Sequence, residues 1–393
     1  MATRFLILSD THATDYHPPE QHADVALHCG DLTQESKIDE FRATIELLKA
    51  INAPLKLIIA GNHDFTLDVP MFRQKVAEMP GPVDAELVKK IYGDYGEAKR
   101  LFDEARDHGI ILLDEGLYTF DLANGASLTI YASPFTPSEG DWGFQYSPKE
   151  GHSFDIKDGV DIVMTHGPPH GVMDRPYSSS RVGCPDLFKS VFRTRPKLHC
   201  FGHIHEEWGA RLVTWRENDT SEASHLTVIE NDPDKSPVIT NLSRLGGSKH
   251  DEPEVREAKQ EKLKTSRREG CYSTRCFAEP GAQTLFINAS IKGDEDQDRP
   301  LEDVDIASTS EPIIDIWSSM LAGAPGFTIE PDMKIAFDTS KGIRIRVDLI
   351  EIGEGCIERI HATRPFFEGS VASISDLLRL RAVTVVDRGS DGD

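Results

Sequence analysis

The chain has 393 residues, 38% of them hydrophobic, and a formal charge of −23 at pH 7. That length admits one large domain or two ordinary ones, with at least one packed core. So acidic a surface repels nucleic-acid backbones and anionic membranes, which excludes broad nucleic-acid binding; a small phosphate ester stays admissible, because bound dications can dominate the field inside one cleft.

At the N-terminus the apolar stretch Phe5–Leu8 is too short for a signal peptide, and no run of about 18 apolar residues follows anywhere. No membrane partner is expected, and the cytoplasm is the expected compartment. Five strand-length apolar runs stand in the first half: Phe5–Leu8, Val25–Leu27, Leu55–Ile59, Ile162–Met164 and Leu198–Phe201. Each ends in a polar cluster. Ile38, Phe41, Ile45 and Leu48 recur at helical spacing, so Ile38–Ala50 reads as an amphipathic helix. Leu117–Phe120 and Ser127–Ala132 read as strands around an Asn124-Gly125 turn. Strand, loop, helix, strand is the grammar of an α/β sheet, where ligands bind beyond the carboxyl ends of strands. The polar clusters are therefore expected on one rim.

Residues 216–280 are polar, with a Lys/Arg/Glu-rich run Glu252–Glu269, and read as a long, partly disordered surface insertion. Cys271 and Cys276 lie in it; they can pair or bind metal, and two ordinary thiols are the preferred reading. Thr284–Ile291 reads as a returning strand. Beyond a boundary placed at 300–311 the character changes. Ile313–Leu321 is apolar; Ile343, Ile345, Val347 and Leu349 alternate with charged residues as a strand does; Leu377–Leu380 and Val383–Val386 follow. This gives a main domain over 1–300 and a C-terminal α+β extension over 311–393.

The clusters carry the chemistry. Asp10-x-His12 offers a carboxylate and an imidazole, which suit Mn, Fe or Zn. In Gly30-Asp31 the glycine lets the backbone come close, and both oxygens of Asp31 are available to two ions. Gly61-Asn62-His63-Asp64 adds a neutral amide oxygen, a histidine able to donate a proton near neutrality, and an aspartate that either orients that histidine or caps the turn. Thr165-His166 and Gly202-His203-Ile204-His205 supply three more imidazoles. Any one of these histidines alone is more often a satisfied core residue. Five such clusters in a consistent order after strands are not.

Taken together, the series resembles the calcineurin-like metallophosphoesterase superfamily over residues 3–291. Ser133-Pro134-Phe135-Thr136-Pro137, Trp142-Gly143-Phe144-Gln145, Thr165-His166-Gly167-Pro168-Pro169, His205-Glu206-Glu207-Trp208-Gly209 and Ile287-Asn288-Ala289-Ser290 resemble its metallophosphoesterase-domain-containing branch, related to the class III cyclic-nucleotide phosphodiesterases. The resemblance implies an α/β (α+β) fold of four layers, two facing β-sheets flanked by helices. It implies two divalent ions, Mn, Fe or Zn. One would be held by Asp10, His12, Asp31 and His205, the other by Asp31, Asn62, His166 and His203, with Asp31 as bridge. Some members of the branch lack one of the metal-binding histidines and are weak catalysts; here every position is filled.

The expected reaction is hydrolysis of a small phosphodiester. Hydroxide held between ions about 3.5–4 Å apart attacks phosphorus in line, and His63 protonates the leaving alcohol, assisted by Asp64. The superfamily's Ser/Thr phosphatases continue Gly-Asp into a stretch with Asp-Arg-Gly. Here Gly30-Asp31 runs on as Leu32-Thr33-Gln34-Glu35-Ser36, which favours small diesters over phosphoproteins; a phosphomonoesterase is the runner-up among enzymes. Phe135, Trp142, Phe144 and Tyr146 can wall an aryl- or base-binding pocket, or be ordinary core. A third reading, a non-catalytic metal-stabilised interaction protein, is disfavoured because it would not need His63. In the tail, 376–381 and 387–393 faintly resemble the later part of nucleotidyltransferase-like proteins.

Overall fold

The computed structural model describes residues 3–14, 16–79, 83–176, 180–216, 223–241 and 251–291, and beyond these the strand segments 303–308, 327–329, 335–338, 344–351, 363–366 and 369–372. The chain divides into two compact units, Met1–Lys292 and Gly293–Asp393.

In the first unit, β1 (Phe5–Leu8), β2 (Val25–His28), β3 (Leu55–Ile58) and β4 (Ile110–Leu112) pair in that order, all parallel. Between β2 and β3 runs α1 (Ile38–Ala50), over the residues its spacing predicts. Glu40 reaches back to the backbone N–H of Lys37 at 3.0 Å and closes the first turn. Ile38, Phe41, Thr44, Ile45 and Leu48 form its buried stripe. Between β3 and β4 come α2 (Val69–Glu78), α3 (Ala85–Tyr92) and α4 (Glu97–Glu104).

The second sheet follows. A hairpin joins β5 (Gly116–Asp121) to β6 (Ser127–Ser133) through Asn124-Gly125, with Gly125 at φ +82° as such a turn requires. A two-strand side ribbon pairs β7 (Thr136–Pro137) with β8 (Gln145–Tyr146). Then come β9 (Ile162–Thr165), α5 (Pro185–Thr194), β10 (Leu198–Phe201), β11 (Gly209–Thr214), α6 (His225–Val228), β12 (Val238–Asn241), α7 (Pro253–Glu269) and β13 (Gln283–Asn288). The sheet order is β12-β11-β13-β10-β9-β6-β5. The polar 216–280 stretch thus contributes an edge strand and a charged helix, and buries Val228 and Ile229.

The alternation of side chains across each strand builds the layers. Val25, Leu27, Leu57 and Ile59 of the first sheet meet Ile130, Ala132, Ile162, Met164, Leu198 and Cys200 of the second in one buried core. Ala26 and Ile58 point the other way, onto Phe41, Ile45, Leu48 and Phe102 of the helices. Val163, Phe201, Val213 and Phe286 point outward onto Leu187, Phe188 and Val191 of α5. The result is two β-sheets sandwiched together and flanked by helices. Past the strand ends the sheets are joined by a backbone bridge between Ser9 and Ser290, with Ile291 N donating to Ser9 O at 3.0 Å.

In the second unit the described strands form a sheet in the order β14 (Asp303–Ser308), β17 (Arg344–Glu351), β16 (Ile335–Asp338), β15 (Phe327–Ile329), and a separate pair β18 (Thr363–Phe366) and β19 (Gly369–Ala372). From Arg344 on, the alternating run is the strand its pattern predicts. The stretches 313–321, 376–381, 377–380, 383–386 and 387–393, which the sequence singles out, lie outside the described residues.

Candidate metal centre

All five clusters leave the carboxyl ends of β1, β2, β3, β9 and β10, and the fold gathers them on one rim. The backbone there is tight. Asp10, His12, Asp31 and His203 have φ of 57°, 47°, 52° and 69°, a left-handed conformation that costs a non-glycine residue about 1–3 kcal/mol. Neighbouring loops hold it in place: Asp10 N donates to Gly30 O at 2.9 Å, His12 N to Asp31 O at 3.1 Å and Ala13 N to Leu32 O at 3.0 Å. Thr44 Oγ1 of α1 donates to Leu32 O at 2.6 Å, anchoring the loop behind Asp31. Gly30, at φ +100°, must be glycine, because a Cβ there would lie 2.6 Å from His166 Nδ1. At Gly61 a Cβ would strike Asp31 at 2.3 Å.

The ring of His166 is fixed first. Its Nδ1–H donates to Cys29 O at 2.8 Å, so Nε2 presents its lone pair. That lone pair faces Asn62 Oδ1 at 2.9 Å and Asp31 Oδ2 at 3.3 Å. With the ring neutral these three acceptors repel one another; a proton on Nε2 relieves that in part, and a divalent ion also fits this ligand set. Asp31 Oδ2 also faces His12 Nε2 at 3.9 Å, while Asp31 Oδ1 accepts from His63 N at 2.9 Å. His12 Nδ1–H donates to Thr33 O at 3.2 Å, again freeing Nε2 for the cleft. Asp10 takes the backbone N–H of His203 at 3.0 and 3.1 Å, and its Oδ1 lies 3.3 Å from His205 Nε2. Three groups thus offer ligand atoms within 4.8 Å of one another: Asp10, His12 and His205; His12, Asp31 and His63; and Asp31, His166 and His203. Shared His12 and Asp31 make them one continuous donor array.

The protonation equilibria reflect this crowding. For His166, burial pulls the pKa down, but the charge and hydrogen bond of Asp31 and the charge of Asp10 win and carry it up to about 9. Asp31 is pushed up by burial and, more strongly, held below the usual carboxylate range by the surrounding histidines, His166 first. Asp10 behaves likewise: burial pushes it up, and the hydrogen bond to His205 together with the charges of His166 and His205 carries it below the usual carboxylate range. His203 is held down, to about 4, by burial and by the charge of His166. With an acid chain packed this way, a positive charge is demanded at the centre. A proton on His166 meets that demand in part, and a metal ion meets it in full.

His63 stands at the open side, in edge contact with His12 at 4.7 Å between ring centroids and tilted over Trp142 at 4.4 Å. Its Nδ1–H donates to Gln34 O at 2.7 Å, which leaves Nε2 outside that bond. The sequence offers Asp64 either as its orienting partner or as a cap of the turn, and the hydrogen bonds fit the second. The Asp64 carboxylate accepts from Gly61 N, Leu32 N, Thr33 N and Thr33 Oγ1 at 2.7–3.0 Å. It ties the β2 and β3 loops together, and Gln34 orients the imidazole. Burial and the nearby Asp31 push the Asp64 carboxyl up to about 7, with those hydrogen bonds pulling the other way.

Two supporting histidines escape the sequence reading. His28 is buried on β2; Gly30 N donates to its Nδ1 at 3.3 Å, so its Nε2–H reaches Thr11 Oγ1 at 3.0 Å. Burial holds its pKa near 3, which keeps the ring neutral and this tautomer fixed. His199 on β10 plays a similar part toward Thr165, with Nε2 at 2.9 Å from Oγ1, and burial holds it at about 3 as well. The signal available was a histidine inside an otherwise apolar strand. The aromatic segment divides: Trp142 joins Phe65, Phe72 and Tyr92 around a cavity of about 430 Å³ beside His63, while Phe135 and Tyr146 pack on His152.

A two-sheet sandwich whose strand ends gather carboxylates, imidazoles and one amide in a shared array defines a metal-binding phosphoesterase fold. The chain belongs to the calcineurin-like phosphoesterase family, which residues 3–207 match. It is 31% identical to human metallophosphoesterase domain-containing protein 1 over 247 residues, 61% of this chain and 71% of that protein. It is 33% identical to a UPF0046 protein of Caenorhabditis elegans over 220 residues, 52% of each chain. A probable rhamnogalacturonate lyase C of Emericella nidulans is 30% identical over 215 residues, which are 54% of this chain and only 18% of that protein.

Proposed function

We propose that the protein hydrolyses small phosphodiesters with two divalent metal ions, held by Asp10, His12, Asp31 and His205 on one side and by Asp31, Asn62, His166 and His203 on the other. The observation that carries this is the convergence of lone pairs from His166 Nε2, Asn62 Oδ1 and Asp31 Oδ2 a few ångströms from the imidazole of His12. When bound, such ions, in our reading Mn, Fe or Zn, supply Lewis-acid polarisation of the phosphoryl group and lower the pKa of water. His63 serves as general acid. Its Nδ1–H is committed to Gln34, so the proton it transfers to the leaving oxygen resides on Nε2. Asp31 keeps the His63 backbone in place through its own Oδ1. Neighbouring Trp142 and the aromatic cavity beyond it suit a flat leaving group.

A small diester is preferred to a phosphoprotein because the loop after Asp31 is spent on internal bonds. Leu32 and Thr33 serve Asp64, Gln34 serves His63, and Ser36 Oγ pairs with Thr66 at 2.8 Å. A cytoplasmic setting is part of the same reading, supported by free thiols at Cys29, Cys184, Cys200, Cys271 and Cys276. We assign the activity to residues 1–300 and treat 311–393 as an appended module. Limited proteolysis tests that assignment: a fragment ending near 300 keeps full turnover.

The deciding experiment is an activity panel. Purified protein is loaded with Mn, Fe, Zn or Mg and assayed against cyclic nucleotides, bis(p-nitrophenyl) phosphate and phosphomonoesters. Turnover of diesters above monoesters is expected. Faster monoester turnover would reverse the substrate assignment, and no turnover with any metal would sink the enzymatic reading.

A further inference from the structure

Beside the metal centre lies a second cavity, of about 220 Å³, lined by Arg175, Arg181, Arg211, Glu207, Thr240 and Asn241 among others. Three guanidinium groups at one cavity are unexpected in a chain of net charge −23. They come from separate elements: Arg175 and Arg181 from the loop before α5, Arg211 from β11. The pairing of β11 with β12 shifts register between Ala210 and Arg211, an irregularity of the kind that re-aims a side chain. Arg211 Nε is buried with no hydrogen-bond partner. The side chain as a whole is half-buried, and a buried N–H left unmatched is costly, so Arg211 Nε calls for an acceptor that an anion entering the cavity would supply. Burial and the charge of Arg181 hold the Arg211 pKa below its usual value, which agrees with an unmet need for negative charge.

The loop is a built platform. The carboxylate of Asp174, fully buried, pairs with Arg181 and accepts Gly171 N at 2.8 Å and Gly183 N at 3.3 Å. Glu207 is the carboxylate lining the cavity, and it feels the charges of Arg181 and Arg175. Glu207 also fixes the location: it closes the single 3-10 turn that begins at His205. A cavity this size is below the range of whole-ligand pockets, roughly 300–1,000 Å³, and suits one phosphate- or carboxylate-sized group.

We propose that the Arg175–Arg181–Arg211 cavity binds a second anionic group of the substrate, one short turn from the ester being cleaved. The anion site stands on its own residues; its assignment to the substrate rests on the phosphoesterase reading. Guanidinium pairs bind such groups by charge-assisted, often bidentate hydrogen bonds.

Two measurements test it. In the first, the Mn-loaded full chain is assayed on p-nitrophenyl thymidine 5′-phosphate and on the same ester carrying a 3′-phosphate. The Arg175→Gln/Arg211→Gln variant is expected to raise KM for the phosphorylated ester about tenfold more than for the plain one. Equal changes in both would overturn the substrate assignment. In the second, calorimetric titration with sodium sulfate at low ionic strength compares wild type with Arg175→Gln, Arg211→Gln and Glu207→Gln. Loss of one saturable site in the arginine variants and tighter binding in Glu207→Gln are expected; identical isotherms would overturn the anion site. Absence of turnover on either ester would count against the phosphoesterase reading, while the sulfate titration still decides the cavity. Arg175 is exposed, so its single variant keeps the test open if replacing Arg211 harms folding.

Discussion

At one end of the metal centre His166 is wholly buried between the sheets, its ring locked on Cys29 and its ligand atom shared with Asn62 and Asp31. At the other, the His205 side chain is 37% exposed, His12 is partly so, and His63 lies against Trp142 at the mouth. The same residue types therefore do two jobs. In the buried end low dielectric and fixed tautomers suit tight binding of a cation. In the open end the imidazoles are reachable from solvent, where the proposed reaction would place substrate and the proton His63 transfers. Asp31 belongs to both.

That division can be broken by mutation. Asp31→Ala should have the largest effect: both ions are lost in metal analysis, and turnover falls by about three powers of ten or more, since Lewis-acid stabilisation is worth several kcal/mol. Retention of a full metal complement would show that the two ends do not share it. His166→Ala comes next. We expect loss of about one equivalent of metal and about a hundredfold in rate, with the Asp10, His12 and His205 end still loaded; loss of both equivalents would dissolve the distinction between the ends. His63→Ala should leave the metal content intact and lower turnover of alkyl diesters about a hundredfold. With nitrophenolate, which leaves without protonation, the loss should be well under that; equal losses on both esters would remove the acid role. His28→Ala, which touches no ligand side chain but supports Gly30 and Thr11, should weaken metal affinity about tenfold, read by competition with a chelator. No change there would make His28 a mere core residue.

The sequence displays the candidate ligands because each sits directly after a strand run, where polarity changes abruptly. Helix α1 is equally legible, since Phe41, Ile45 and Leu48 follow one face. What is not legible depends on contacts across elements. Gln34 orients His63 with its backbone carbonyl, which no side-chain pattern reveals. Asp64 looks like a partner of its sequence neighbour, yet its oxygens turn to the loop of Leu32 and Thr33. Left-handed φ at Asp10, His12, Asp31 and His203 carries no glycine to announce it. Arg175, Arg181 and Arg211 meet only because the loop before α5 folds against β11. The stretch 216–280 looks peripheral by composition, although Val238–Asn241 extends the second sheet.

One more consequence concerns the order of synthesis. The strand Gln283–Asn288 lies between Leu198–Phe201 and Gly209–Thr214 in the second sheet, and Ser290 clasps Ser9. While the ribosome is still making the middle of this chain, the first sheet and its three ligand loops can form, but the sheet carrying His203 and His205 has a gap. At about 5–20 residues per second, this wait lasts on the order of tens of seconds. Throughout it a nascent chain exposes strand edges and an unfinished set of carboxylates and imidazoles, so on the two-metal proposal a complete site forms only after residue 290 has emerged.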